Sequence, residues 1–149
     1  MKLATLAYVK RDGHTLMLHK AKGYQQGKWN GLGGKFDPGE SPEECLKREV
    51  LEESGLTVEE AQLRGFITFP DFDGNDDWYA FVYTVTAFSG EVVASEEGEL
   101  HWVPDDELLE LNIWDGDRIF LPWLDGERLF SAKFTYEAGE FKKHEVVFY

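Results

Sequence analysis

Gly34-Lys35-Phe36-Asp37-Pro38-Gly39-Glu40, followed seven residues later by Arg48-Glu49-Val50-Leu51-Glu52-Glu53-Ser54-Gly55-Leu56, is the stretch that decides how this chain folds. Between the two halves, Ser41 is a good helix N-cap and Pro42 suits the first helical position. Glu44 completes a Ser-x-x-Glu capping box. Gly55 stands where a left-handed, helix-ending residue belongs. The spacing predicts a loop, then a helix over Pro42–Ser54, then a stop.

Within that helix Glu49, Glu52 and Glu53 fall at i, i+3 and i+4 and project from one face. Leu46 and Val50 lie to one side of them and Cys45 to the other, while Glu43, Glu44 and Lys47 point elsewhere, toward water. The acidic trio therefore borders the buried side. Like charges so placed destabilise one another, and more strongly as water is excluded. A hard divalent cation held by carboxylate oxygens would offset that repulsion, Mg²⁺ first. A solvated acidic face is the plain alternative. The glycine-rich loop at a fixed offset argues against it.

Outward from this stretch, 149 residues with 42% apolar and 15% aromatic content are read as one domain, residues 1–149, able to bury a real core. Leu3–Val9 is too short for a signal peptide and runs directly into Lys10-Arg11-Asp12. No segment reaches membrane-spanning length, so no membrane partner is expected. The single Cys45 rules out an intrachain disulfide and fits a reducing, cytoplasmic setting. A net charge of −14 argues against a nucleic-acid partner bound through a broad basic surface. It leaves room for a small phosphorylated substrate if metal ions and a few local cations reverse the field at the site. Lys20 and Lys35 are the candidates for that task.

Leu3–Lys10 and Leu16–Lys20 read as a hairpin across Asp12-Gly13. Gly23-Tyr24-Gln25-Gln26-Gly27-Lys28 is a loop by composition, leading into Trp29-Asn30-Gly31-Leu32-Gly33-Gly34-Lys35. Those glycines let backbone approach a metal or phosphate closely. This is no Walker A loop, because Phe36 follows Gly34-Lys35. Gln62–Phe69 and Trp78–Phe88 read as strands around a solvated acidic loop, Pro70–Asp77. Glu99–Val103 is a short strand, Asp105–Leu111 a short helix, and Ile119–Leu124 an amphipathic helix. Leu129–Tyr136 and Lys143–Tyr149 form a terminal hairpin. These elements without strict βαβ alternation predict an α/β fold with a mixed sheet and helices on both faces.

The pattern G-x5-E-x7-R-E-U-x-E-E-x-G-U over residues 34–56, with U aliphatic, resembles the Nudix box at every specified position. Outside it, Trp29–Lys35, Trp114-Asp115-Gly116-Asp117 and Phe130–Tyr136 resemble the MutT-type 8-oxo-dGTP diphosphatases. The resemblance implies a Nudix-type α/β/α sandwich, Mg²⁺ (or Mn²⁺), and hydrolysis of a nucleoside triphosphate to monophosphate and pyrophosphate. It implies Glu49, Glu52 and Glu53 as metal ligands, with the Gly33 carbonyl and Glu97 completing the shell. Glu40 and Arg48 would orient that shell, and Glu52 or Glu53 would take a proton from the attacking water. It further implies a base recess formed by Asn30, Phe69, Trp114 and Asp117, with Thr5 and Lys20 nearby. Leu32, Gly33, Gly34, Lys35, Asp115 and Gly116 complete the expected substrate contacts. In the vertebrate relatives Pro-Asp-Asp follows the tryptophan, whereas this chain has Asp115-Gly116-Asp117, which disfavours oxidised adenine nucleotides. Two other readings stay open: a Nudix hydrolase of ADP-ribose, a dinucleoside polyphosphate or an ordinary NTP, and a silent nucleotide-binding domain. Monomer and homodimer are equally compatible with the sequence.

Overall fold

A computed structural model describes residues 1–23 and 25–149; Tyr24 of the expected Gly23–Lys28 loop lies outside the described residues. Strand β1 (Lys2–Arg11) turns into β2 (His14–Lys20) through Asp12 and Gly13, whose φ angles are 49° and 75°. Two successive left-handed residues match the twist of the flanking strands, which is why an Asp-Gly pair sits there. A two-residue β3 (Trp29–Asn30) precedes helix α1 (Pro42–Ser54). Then come β4 (Thr57–Phe69), β5 (Trp78–Ser89), β6 (Gly98–Pro104), α2 (Asp115–Phe120), β7 (Phe130–Glu137) and β8 (Glu140–Phe148). Among the described residues they form one eight-stranded sheet in the order β3-β2-β1-β5-β4-β7-β8, with β6 also paired to β2. The β1/β5 and β4/β7 pairs are parallel and the rest antiparallel, so the sheet is mixed as expected.

Alternating side chains carry β1 into both layers of core. Ala7 and Val9 pack with Leu16, Leu18 and Val85 under Leu46 and Val50 of α1. Tyr8, between them in sequence, packs on the opposite face with Met17, Val82, Phe130 and Phe134, under Phe120, Leu121 and Leu124. The expected caps of α1 are present: Ser41 accepts from the Glu44 amide, Glu44 accepts from the Ser41 amide, and Gly55 is left-handed with φ 82°.

Three expectations need correction. Strand β4 starts at Thr57, not Gln62, because Gly55 turns the chain straight onto its partner, Thr57 opposite Ser89. Its polar start is interrupted by bulges near Glu60, which erase the alternation a strand normally shows. The Ile119–Leu124 helix is broken: α2 starts earlier, at Asp115, and ends at Phe120, then tightens to a 3₁₀ turn over Leu121–Asp125. Pro122 lacks the amide that an α-helix needs at that place. Asp105–Glu110 is likewise 3₁₀ rather than α. Glu43 is exposed, as expected, and also accepts a hydrogen bond from the Tyr83 hydroxyl at 2.6 Å.

Strand β1 pairs with β2 only over Val9–Arg11. Along the vacated edge run the loop residues after β3: Ala7 and Leu32 exchange both backbone bonds at 2.7 and 2.9 Å, the Thr5 amide donates to the Gly34 carbonyl, and the Phe36 amide donates to that of Leu3. The glycine loop is thus held as a false strand beside α1. No helix is long and apolar enough to cross a membrane among the described residues.

Burial outweighs capping in holding α1 to the sheet. Leu46 is 1% exposed, so Leu46→Ala is expected to cost about 2–5 kcal/mol. Ser41→Ala should cost only about 1 kcal/mol. Urea unfolding of the two variants checks the ranking.

Candidate active site

The false strand fixes the position of two glycines against two glutamates. Gly33 has φ 122°, and a Cβ there would lie 2.1 Å from the Thr5 carbonyl oxygen, so only glycine fits. Its amide donates to Glu53 Oε1 at 2.7 Å. A Cβ on Gly34 would sit 2.7 Å from the Glu49 carboxylate. Beneath them the Cys45 thiol donates to the Gly34 carbonyl and lies 3.5 Å from Thr5 Oγ1. Cys45 is fully buried, as its place on the helix flank suggested.

Burial is the main force on these carboxylates. It pushes Glu53 up to about 8, opposed by the Gly33 amide, reinforced by Glu49, opposed again by Lys20 and reinforced by Glu97. Glu49 is also raised, first by burial, although Arg48 works against it. Arg48 is the hub of the helix edge. Its Nε and Nη2 reach the two oxygens of Glu40 at 2.7 and 2.9 Å, and Nη1 reaches Glu49 at 2.8 Å and Glu52 at 3.3 Å. The Glu40 carboxyl is held down at about 2 by Arg48 and by the Asp37 amide. Glu52 is the open member of the trio, with 59% of its side chain exposed. Across the gap, Lys20 pairs with Glu97 at 3.1 Å.

A cavity of about 620 Å³ opens beside this edge. Glu53, Glu97, Lys20, Lys35, Gly33, Gly34, Leu32 and Thr5 line it, and so do Asn30, Phe69, Trp114 and Asp117. The structure therefore brings these twelve expected residues to one wall. Glu49, Glu52 and Arg48 do not line it, although the Glu49 carboxylate lies against Gly34, which does. Asp115 is exposed in the first turn of α2 and does not line the cavity, and Gly116 is buried behind Asp117. Four aromatic wall residues escaped the sequence reading: Tyr8, Phe72, Trp78 and Tyr136. Apolar alternation in β1 and β7 was the available signal for two of them, but it reads equally as core.

Phe72, Trp114 and Tyr136 meet edge to face at 5.4–5.8 Å, and Phe69 packs on Phe72 at 5.3 Å. Lys28 lies 5.0 Å over the Trp114 ring. Two polar groups interrupt this aromatic lining. Asn30 Nδ2 is buried without a hydrogen-bond partner among the described residues, a costly state that a ligand acceptor would relieve. The Asp117 carboxyl is pushed up to about 7, chiefly by burial, against the pull of Lys28 and Arg118.

A NUDIX domain family model matches residues 2–124. The chain belongs to the Nudix family. It is a Nudix hydrolase, and members of this family act on small nucleotides with divalent metal ions. It is 32% identical over 146 residues to an oxidized purine nucleoside triphosphate hydrolase of Danio rerio, covering 98% of this chain and 90% of that one. The Mus musculus protein of the same description is 32% identical over 137 residues, 91% and 87% of the two chains. Among solved structures, a MutT protein from Bacillus halodurans superposes with a TM-score of 0.88 at 34% identity, covering 98% and 97%. These likenesses bear out the Nudix fold expected from the box.

The donor set of this Nudix site fits a hard cation. It offers carboxylate oxygens, two of them on residues whose burial leaves their charge poorly compensated. Among the described residues no three acidic, His or Cys side chains form a complete cage.

The raised Asp117 gives a pH-dependent stability. Its ordinary value is 3.8, so between about pH 4 and pH 7 the unfolded chain loses a proton that the folded chain keeps, and stability falls as pH rises. Asp117→Asn removes this dependence. The variant is expected to gain on the wild type from pH 4 to pH 8 by on the order of 2–4 kcal/mol, each pKa unit being about 1.4 kcal/mol. Denaturant titrations at several pH values measure the difference.

Proposed function

We propose that this Nudix hydrolase cleaves an oxidised purine nucleoside triphosphate, 8-oxo-dGTP first, to the monophosphate and pyrophosphate. One observation carries the reading: an aromatic recess holding the unpartnered Asn30 amide and Asp117 shares a single cavity with Glu53, Glu97 and the glycine loop. A flat base suits the rings of Phe69, Phe72 and Trp114, and Asn30 offers both donor and acceptor. The names of the Danio rerio and Mus musculus relatives support the same substrate class.

Glu49 and Glu53 would hold Mg²⁺ (or Mn²⁺), with the Gly33 carbonyl and Glu97 as further ligands and Glu52 beside them. When bound, the ion supplies charge neutralisation on the phosphate chain and acidifies water. Arg48 fixes the geometry of Glu49 through its bonds to Glu40 and Glu49, so the helix edge meets the ion preorganised. Lys20 and Lys35 bring positive charge to the cavity wall where a triphosphate would lie. Glu52 or Glu53 takes the proton from the attacking water. The reading places one domain in the cytoplasm, where oxidised nucleotides arise.

A panel of 8-oxo-dGTP, dGTP, dCTP, ADP-ribose and diadenosine polyphosphates, compared by kcat/KM with Mg²⁺, tests the substrate. 8-Oxo-dGTP is expected to lead, and preference for ADP-ribose or a dinucleoside polyphosphate would refute the assignment. Glu53→Gln should abolish turnover and weaken Mn²⁺ binding while circular dichroism stays native. Near-normal pyrophosphate release by that variant would show that Glu53 has another role. Arg48→Ala should lower metal affinity about 10–100-fold, as loss of a ligand-orienting group does.

A further inference from the structure

We propose that the Tyr136 hydroxyl is a specificity-determining hydrogen-bond donor of the base recess, selecting a purine that presents a carbonyl at C6. The inference rests on the purine reading given above and deepens it.

Tyr136 lies on the inward face of β7 with Phe130, Ala132 and Phe134. A bulge between Thr135 and Tyr136 interrupts pairing with β8, the kind of irregularity that re-aims a side chain. The ring is fixed by Phe72, Trp114 and Phe141 at 5.4–5.8 Å and lines the cavity. Its oxygen accepts from the Gly116 amide at 2.8 Å. That bond uses a lone pair and leaves the O–H proton, for which the described residues supply no acceptor.

Gly116 makes room for this phenol. A Cβ at that position would lie 2.6 Å from the Tyr136 oxygen and 2.9 Å from the Phe134 ring. A side chain on residue 116 and a hydroxyl on residue 136 therefore compete for one space, and this chain fills it with the hydroxyl. Burial raises the phenol, the Gly116 amide lowers it, and Asp117 and Asp115 raise it further. The group stays protonated and donates.

The recess thus holds two unused donors, Asn30 Nδ2 and Tyr136 O–H, beside the Asp117 carboxyl. A base with carbonyl oxygens satisfies donors, whereas a 6-amino purine sets a donor against a donor. A site built to bond a substrate oxygen rejects the analogue lacking it far more strongly than an apolar pocket could.

The test compares wild type, Tyr136→Phe and Gly116→Ala in the full chain, by kcat/KM with Mg²⁺ on 8-oxo-dGTP and 8-oxo-dATP. Calorimetric binding of 8-oxo-dGMP and 8-oxo-dAMP without metal gives a readout independent of turnover. Tyr136→Phe should lose roughly 10–100-fold on the guanine nucleotide, chiefly in KM, and under about threefold on the adenine nucleotide. Gly116→Ala, which displaces the phenol, should narrow the same ratio. Equal losses on both nucleotides would mean that Tyr136 only props Gly116, and no loss would mean that it reads nothing. Either result overturns the inference alone. A wild type that binds neither purine overturns the substrate reading and the inference together.

Discussion

Everything at this site depends on one backbone pairing. Strand β2 leaves β1 after Val9, and the segment around Gly31–Phe36 takes the empty edge with regular backbone bonds. Had that edge been closed by an ordinary strand, Gly33 and Gly34 would not face α1. Their approach removes water from Glu49 and Glu53, and it is this desolvation, more than mutual repulsion, that raises both carboxyls. Acidic groups so placed are destabilising to the fold when bare. Such placement is useful where a positive centre is to be held or a proton moved, the trade of stability for function that active sites commonly show.

Arg48 answers a different need. A single guanidinium cannot neutralise Glu40, Glu49 and Glu52 equally, and its two-pronged contact goes to Glu40. Glu49 receives one bond, on Oε1, and Glu52 receives a long one. The planar fork therefore sorts three neighbouring carboxylates into an anchored, a half-anchored and a loose one, which a lysine ammonium could not do.

Helix α1 was legible in the sequence because its determinants are local: Ser41, Pro42, Glu44 and Gly55 act within a few residues of where they stand. The glycine loop was legible for the same reason. Glu97, Phe69 and Asp117 reached the wall list only through likeness to a known family, since they come from three separated segments and nothing local ties them, whereas Lys20 was already marked as one of the few cations near the loop. Tyr8, Phe72, Trp78 and Tyr136 were not legible at all as wall residues. Alternation tells which face of a strand is apolar, but it does not tell whether that face is filled by protein or left as a recess. The broken helix at Pro122 and the early start of β4 were missed differently. In one the apolar pattern masked a missing amide, and in the other bulges masked a strand.

Cys45 adds a property that concerns the cell rather than the catalyst. Oxidants attack the thiolate, and this sulfur is sealed under the glycine loop with burial raising its pKa. The molecule's single thiol is thus shielded from peroxide. The same packing that seats the glycine loop against the helix therefore also keeps the thiol in its reduced, uncharged form.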